Sequence, residues 1–268
     1  MRIATPLIAL LTLPVVLTAA PASAVVGGTA VKASSYPWLG ALHSQAGFFR
    51  PGGHLCGGVL VRADKVLTVA RCARQFKAVP DRLNVTFGRT DVKKKNGTTY
   101  RVKKIWVHPG HRVTDLDGLE VPRNDLAVLT LAKKVKKIKP VKLGSVTGSR
   151  GFVLGWGATG EARPNNSRLR KAAVPLVGES ECRSAYGDVL DSGMTCAGSG
   201  EAAACRFDDG GPLVVRVRTT VRFGGQTEPR MEDRVAGLAS WADGCAREGR
   251  PGVYTEVSAF RDILEKRL

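Results

Sequence analysis

Cys205-Arg206-Phe207-Asp208-Asp209-Gly210-Gly211-Pro212 is the stretch on which the reading of this chain turns. It runs from a cysteine through turn-forming Asp and Gly residues into an apolar segment, Pro212 to Val217, that reads as a strand. The same alternation of short apolar runs with Gly, Pro, Asn and Asp recurs along the chain. Val59-Leu60-Val61, Leu67 to Ala70, Leu83 to Phe87, Ile105-Trp106-Val107 and Leu126 to Leu131 read as strands in the first half. Gly151 to Leu154, Val235 to Trp241 and Gly252 to Val257 do so in the second. Many short strands with turn signals between them indicate an all-β barrel or sandwich. Helical spacing is read only at the end, from Ser258 to Leu268, where Phe260, Ile263 and Leu264 share a face and Ser258 is a candidate N-cap. No repeat of fixed period emerges, and the polar stretch 142–149 is the natural division between two β lobes.

The first residues read as an export signal. Arg2 supplies the positive start, Ile8 to Leu17 the apolar run, and Ala22-Ser23-Ala24 the small-residue cleavage site. This predicts a leader over residues 1–24 and a mature domain over 25–268 beginning at Val25. The apolar run is too short to span a membrane, and no later segment approaches that length. Six cysteines in an exported chain predict three disulfides, whose pairing the spacing alone leaves open. No two cysteines sit at zinc-ligand spacing, and neither a metal nor a cofactor is predicted. The formal charge of +18 favours contact with polyanions.

A series of motifs, in order along nearly the whole mature chain, resembles the chymotrypsin/trypsin family of serine proteases. Val25-Val26-Gly27-Gly28 resembles that family's activated N-terminus. Cys56-Gly57-Gly58 and Leu67-Thr68-Val69-Ala70-Arg71-Cys72 resemble the segment around its catalytic histidine, with Arg71 in the histidine's place. Asn124-Asp125-Leu126-Ala127 matches the segment of its catalytic aspartate, and Gly155-Trp156-Gly157 and Cys196-Ala197-Gly198 match two further motifs. Cys205 to Pro212 resembles the nucleophile segment with Asp209 at the serine position, and Ser240-Trp241-Ala242 and Pro251-Gly252-Val253-Tyr254-Thr255 complete the series. The resemblance implies two antiparallel six-stranded β-barrels with a C-terminal α-helix and a cleft between the barrels. It also implies the pairings Cys56–Cys72, Cys182–Cys196 and Cys205–Cys245.

What the resemblance implies for chemistry is a loss. Family hydrolysis needs a hydroxyl nucleophile, a neutral imidazole and a carboxylate that orients it. Of these Asp125 alone is retained. Arg71 stays protonated and cannot act as base, and Asp209 has no hydroxyl. Phe207 stands where a glycine would offer its N–H to an oxyanion. Ala203 and Ala204 fall at the base of the specificity pocket, so a preference for Lys or Arg is not supported. Ser240, Trp241, Ala242 and Gly252 form its walls, with Ala242 narrowing the entrance. Asp208 is expected to pair with the Val25 amine, giving the activated arrangement without a zymogen stage. Arg71 is expected to bridge Asp125 and Asp209. His54 is read as a hydrogen-bonded structural residue, and His108 and His111 as members of a surface loop. A carboxylate pair of Asp125 and Asp209 acting on glycosides is the enzymatic alternative. Arg71 between them, holding both ionised, argues against it.

The working surface is then sought outside the cleft. Lysines cluster as Lys93, Lys94 and Lys95, as Lys103 and Lys104, and as Lys133, Lys134, Lys136, Lys137, Lys139 and Lys142. They are expected to form one positive face on the first barrel. With Arg89 and the first triplet in the loop that carries acidic ligands in calcium-binding relatives, no calcium site is expected. A second basic stretch, Arg216, Arg218, Arg222, Arg230 and Arg234, spans an extended hairpin with a turn at Phe223-Gly224-Gly225. The expected function is a secreted, monomeric homologue without peptidase activity that binds a polyanion or an acidic protein partner. No motif supports sequence-specific nucleic-acid recognition. The alternative is residual or unconventional hydrolysis.

Overall fold

A computed structural model describes residues 25–44, 53–162, 166–223 and 226–268. The leader read over residues 1–24 and the turn at Gly224-Gly225 lie outside the described residues. Six strands close the first barrel: β2 (Leu39–His43), β3 (His54–Arg62), β4 (Lys65–Thr68), β5 (Asn84–Phe87), β6 (Thr98–Val107) and β9 (Ala127–Leu131). Their order around it is β2-β3-β4-β9-β6-β5. The second lobe is built on β11 (Arg150–Gly155), β12 (Arg170–Val177), β13 (Met194–Ala197), β14 (Pro212–Phe223), β15 (Gln226–Trp241) and β16 (Gly252–Glu256). Leu176 opposite Ala197 joins β12 to β13 and closes this second ring. Short strands β1 (Thr29–Ala30) and β10 (Lys142–Leu143) attach to β12 and β15. Closure leaves no edge strand for each ring to protect, and their inward residues are the apolar ones. Val59, Leu67, Leu129, Val214 and Leu238 are fully buried, in a core continuous across both lobes.

The lobes meet where glycine allows it. Gly57 donates its N–H to the Asp209 carbonyl at 2.8 Å. A Cβ on Gly57 would stand 2.8 Å from the Gly211 Cα, so the first barrel and the Asp209 loop can approach only without side chains there. All three disulfides form as the resemblance implies: Cys56–Cys72, Cys182–Cys196 and Cys205–Cys245.

Several expectations change. Besides α3 (Arg261–Glu265) the chain forms α1 (Ala70–Ala73), which begins where a strand was expected to end, and α2 (Glu179–Tyr186). Helix α2 buries only Cys182 and Tyr186, at i and i+4, a stripe too sparse for periodicity to reveal. Ser258 is not a helix cap: its hydroxyl donates to the Glu256 carboxylate at 2.6 Å, and a 3-10 turn, Val257–Phe260, precedes α3. An unforeseen hairpin, β7 (Arg112–Leu116) with β8 (Leu119–Arg123), stands between β6 and Asp125.

The lysine clusters fall on three parts of the first barrel. Antiparallel pairing of β6 with β9 sets Lys104 opposite Thr130, whereas Lys133 and Lys134 follow Ala132, whose N–H donates to the Arg101 carbonyl at 2.8 Å. Lys93, Lys94 and Lys95 lie in the β5–β6 connection, where Val92 donates to the Ser167 carbonyl of the second lobe. From the end of that connection, the run from Thr98 to Lys103 along β6 spans about 16 Å.

Candidate active-site cleft

Asp125 sits at the start of β9, and its carboxyl is almost fully buried (2 % exposed). Its Oδ1 accepts the Arg71 backbone N–H at 2.9 Å and its Oδ2 accepts the Ser240 hydroxyl at 2.8 Å. The Thr255 hydroxyl donates to its carbonyl at 2.8 Å, tying the residue to β16. Burial raises the Asp125 pKa, and the hydrogen bonds from Arg71 and Ser240 oppose that rise.

Helix α1 and the Cys56–Cys72 bridge hold Arg71 over the cleft. Its guanidinium does not bridge Asp125 and Asp209 as expected. The Nη1 group donates to the Ser240 carbonyl at 2.7 Å and stands 3.5 Å from Asp209 Oδ1. Nη2 donates to Glu120 Oε2 at 3.1 Å. Asp125 is already filled by a backbone donor and a hydroxyl, so the long side chain passes it and finds Glu120 on β8. Sequence reading missed Glu120, because nothing in a hairpin some fifty residues away signals that it returns to the cleft. The hairpin is anchored by Val121, fully buried in an apolar cluster with Trp241, Tyr186 and Val253 of the second lobe.

His111 also changes place. Its ring is 6 % exposed, not on a surface loop, with Nδ1 3.9 Å from Asp125 Oδ1 and 3.1 Å from the Arg123 carbonyl. The hairpin that begins at Arg112 folds over it. His108, in the same loop, is partly exposed, and burial lowers its pKa. His54 is buried behind the cleft, its Nε2 3.3 Å from the Phe207 carbonyl and its ring edge-on to Trp156.

The loop from Cys205 to Gly211 carries one residue in a glycine-like conformation. Phe207 has φ of +77°, the left-handed region in which glycine is at ease and a bulky side chain costs about 1–2 kcal/mol. Asp208 is fully buried, its Oδ1 accepting from Gly157 N–H at 2.8 Å and its Oδ2 from Cys205 N–H at 3.0 Å. A Cβ on Gly155 or Gly157 would run into that carboxyl, which explains both glycines of the Gly-Trp-Gly motif. Burial pushes the Asp208 pKa up to about 7, and neighbouring Asp209 adds to the rise. Val25 is fully buried in an apolar cluster with Val153, Leu213 and Tyr254, and Val26 pairs with Ala203.

A cleft of about 300 Å³ opens beside these groups, lined by Arg71, Ala204, Phe207, Asp209, Ser240, Trp241, Ala242 and Gly252. Ala203 stands behind its wall, buried by the pairing with Val26. Among the residues that line the cleft Asp209 is the one carboxylate, and the Arg71 guanidinium stands 3.5 Å from it.

A family model described as Trypsin matches residues 25–264. The chain is 33 % identical over 252 residues to a trypsin of Saccharopolyspora erythraea, covering 91 % of this chain and 98 % of that one. It is 32 % identical over 256 residues to a vitellin-degrading protease of Bombyx mori, covering 91 % of this chain and 85 % of the relative. Serine protease 56 of Homo sapiens is 34 % identical over 256 residues, covering 91 % of this chain and 38 % of that protein. With two closed β-rings, three disulfides and a cleft lined by Arg71 and Asp209 in front of the buried Asp125, the chain belongs to the trypsin-like serine protease family.

Proposed function

We propose that this protein is an exported trypsin-family homologue that does not cleave peptides and works by holding a polyanion on its basic surface. The observation that carries the first part is the Arg71 guanidinium, bound to the Ser240 carbonyl at 2.7 Å and to Glu120 at 3.1 Å in the place of a general base. A guanidinium does not take up a further proton, and the carboxylate of Asp209 has no proton to give up as a nucleophile of the serine kind. In an unrelated protease built on the same chemistry, loss of the serine or of the histidine alone lowers turnover about a millionfold. The cation at the cleft mouth also occupies the β15 carbonyl of Ser240.

Export is supported by the three disulfides, which persist in oxidising compartments. No helix among the described residues is long and apolar enough to cross a membrane. Support for polyanion binding comes from Lys103, Lys104, Lys133, Lys134, Lys136, Lys137 and Lys139, which are exposed and make no ion pair among the described residues. Unneutralised lysines side by side keep their counterions until a polyanion replaces them, so such binding weakens steeply with salt.

Two measurements test the proposal. A panel of chromogenic peptides differing in the residue before the scissile bond is expected to show no turnover; hydrolysis by the purified chain would refute the first part. Retention on a heparin column is expected to collapse with added salt, and Lys133→Glu/Lys136→Glu/Lys137→Glu is expected to elute much earlier. Equal elution of the triple variant and the parent would refute the second.

A further inference from the structure

A second cavity, of about 580 Å³, lies where the first barrel, the connection between the lobes, the base of β15 and α3 converge. Its volume falls within the range of pockets that take small organic ligands. The floor is apolar: Pro140, Leu143 and Leu268 are half-buried in it, over the buried Val61, Val141, Val257 and Leu264. Its rim is cationic. Arg62, Lys142, Arg234 and Arg261 line the opening, against the carboxylate of Glu265.

The charges of this rim are poorly neutralised from within the protein. Lys142 and Arg234 share one carboxylate, Glu232, at 2.8 and 3.2 Å. Arg62 donates to the Val61 carbonyl at 3.0 Å, and neither it nor Arg261 makes an ion pair among the described residues. The Arg234 side chain packs flat on Gly144, where a Cβ would stand 2.9 Å from it, so one guanidinium is held in place at the opening. An apolar floor beneath an excess of fixed positive charge selects a ligand with the reverse construction: an apolar body that ends in an anionic group. A simple anion gains nothing from the floor. A neutral chain gains nothing from the rim.

We propose that this cavity binds a soluble, single-chain anionic amphiphile of the fatty-acid class. The chain lies on Pro140, Leu143 and Leu268, above the buried valines and Leu264, and the carboxylate meets Arg62 and Arg261. The site is separate from the cleft and independent of whether the cleft is active.

The probes are decanoate, 1-decanol and acetate, titrated calorimetrically against the whole protein below the concentration at which decanoate forms micelles. Decanoate is expected to bind saturably at one site, with 1-decanol at least tenfold weaker and acetate without measurable binding. Arg62→Ala/Arg261→Ala removes two exposed side chains and is expected to weaken decanoate at least tenfold. Ser145→Trp, at the cavity lining, is expected to abolish binding by filling the opening while the fold, read by circular dichroism, is unchanged. Absence of saturable decanoate binding, equal affinity for 1-decanol, or unchanged affinity in both variants would each overturn the proposal. Heparin retention of the two variants reports separately on the polyanion surface, so failure of one reading is not mistaken for failure of the other.

Discussion

Around the Arg71 guanidinium three acceptors lie within 3.5 Å, and their exposure decides what each contributes. The Glu120 and Asp209 side chains are 63 % and 31 % exposed, and solvent screens ion pairs of that kind to a few tenths of a kcal/mol up to about 1. The bond to the Ser240 carbonyl, charged and largely shielded, contributes more, on the order of 1–2 kcal/mol. Arg71→Ala is therefore expected to lower stability by about 1–2 kcal/mol in chemical denaturation, and Glu120→Ala by less than about 1. No change in Arg71→Ala would show that the guanidinium is not fixed there. Asp208 gives a pH prediction. Its folded pKa of about 7 lies above the ordinary 3.8, so the folded chain binds the extra proton and stability falls as pH rises between those values. A chain that begins at Val25 presents an ammonium group that favours the carboxylate, and the fall is expected to disappear. His43, half-buried, with its pKa lowered to about 4 by desolvation and by Arg89, contributes the opposite slope, rising with pH from about 4 to 6.5, but equally in both forms. Denaturation from pH 4 to 8 with and without the leader isolates Asp208; parallel curves would refute the Val25 pairing.

Among the elements, the β7–β8 hairpin closes the cleft from the first lobe's side. Five residues of β7 are exposed, yet Val121 on β8 is fully buried against the second lobe and Glu120 next to it reaches Arg71. Alternation of side chains along a strand puts these neighbours on opposite faces, one in the core and one over the cleft. Val121→Ala removes two buried methyls and is expected to cost about 2 kcal/mol and to speed amide exchange across β7 and β8. Exchange as slow as in the parent would mean that the hairpin is held by other contacts. This element also marks the limit of sequence reading. The strands at Val59, Leu67, Leu129 and Gly151 were legible because continuous apolar runs bounded by turn residues permit little else. The pairings of the disulfides and the place of Asp125 came through family motifs. Glu120 and His111 were not legible, because Arg112 to Arg123 is a polar, half-exposed hairpin with no strong period. Helix α2 was hidden for a similar reason: a single buried stripe of two residues does not distinguish a helix from a loop.

On the scale of the whole molecule, the two lobes share one core and a glycine-lined contact between Gly57 and Gly211, so changes in the cleft need not disturb the frame. Phe207 takes a positive φ that suits glycine, so the backbone there is set by the frame rather than by the side chain. Asp125 likewise still offers Oδ1 to the backbone of residue 71 and Oδ2 to Ser240. On the reading proposed above, the family's chemistry is missing at the side chains of Arg71 and Asp209, and the backbone that carries them is ordered as a trypsin-family frame. The basic exterior, with Lys133 to Lys139 unpaired among the described residues, is where binding is expected instead.

Reaction with a fluorophosphonate, which labels an activated serine, tests that central claim most directly. The parent chain is expected to remain unlabelled, and Arg71→His/Asp209→Ser/Phe207→Gly to become labelled at residue 209. Labelling of the parent, or a correctly folded triple variant that stays unlabelled, would contradict the account.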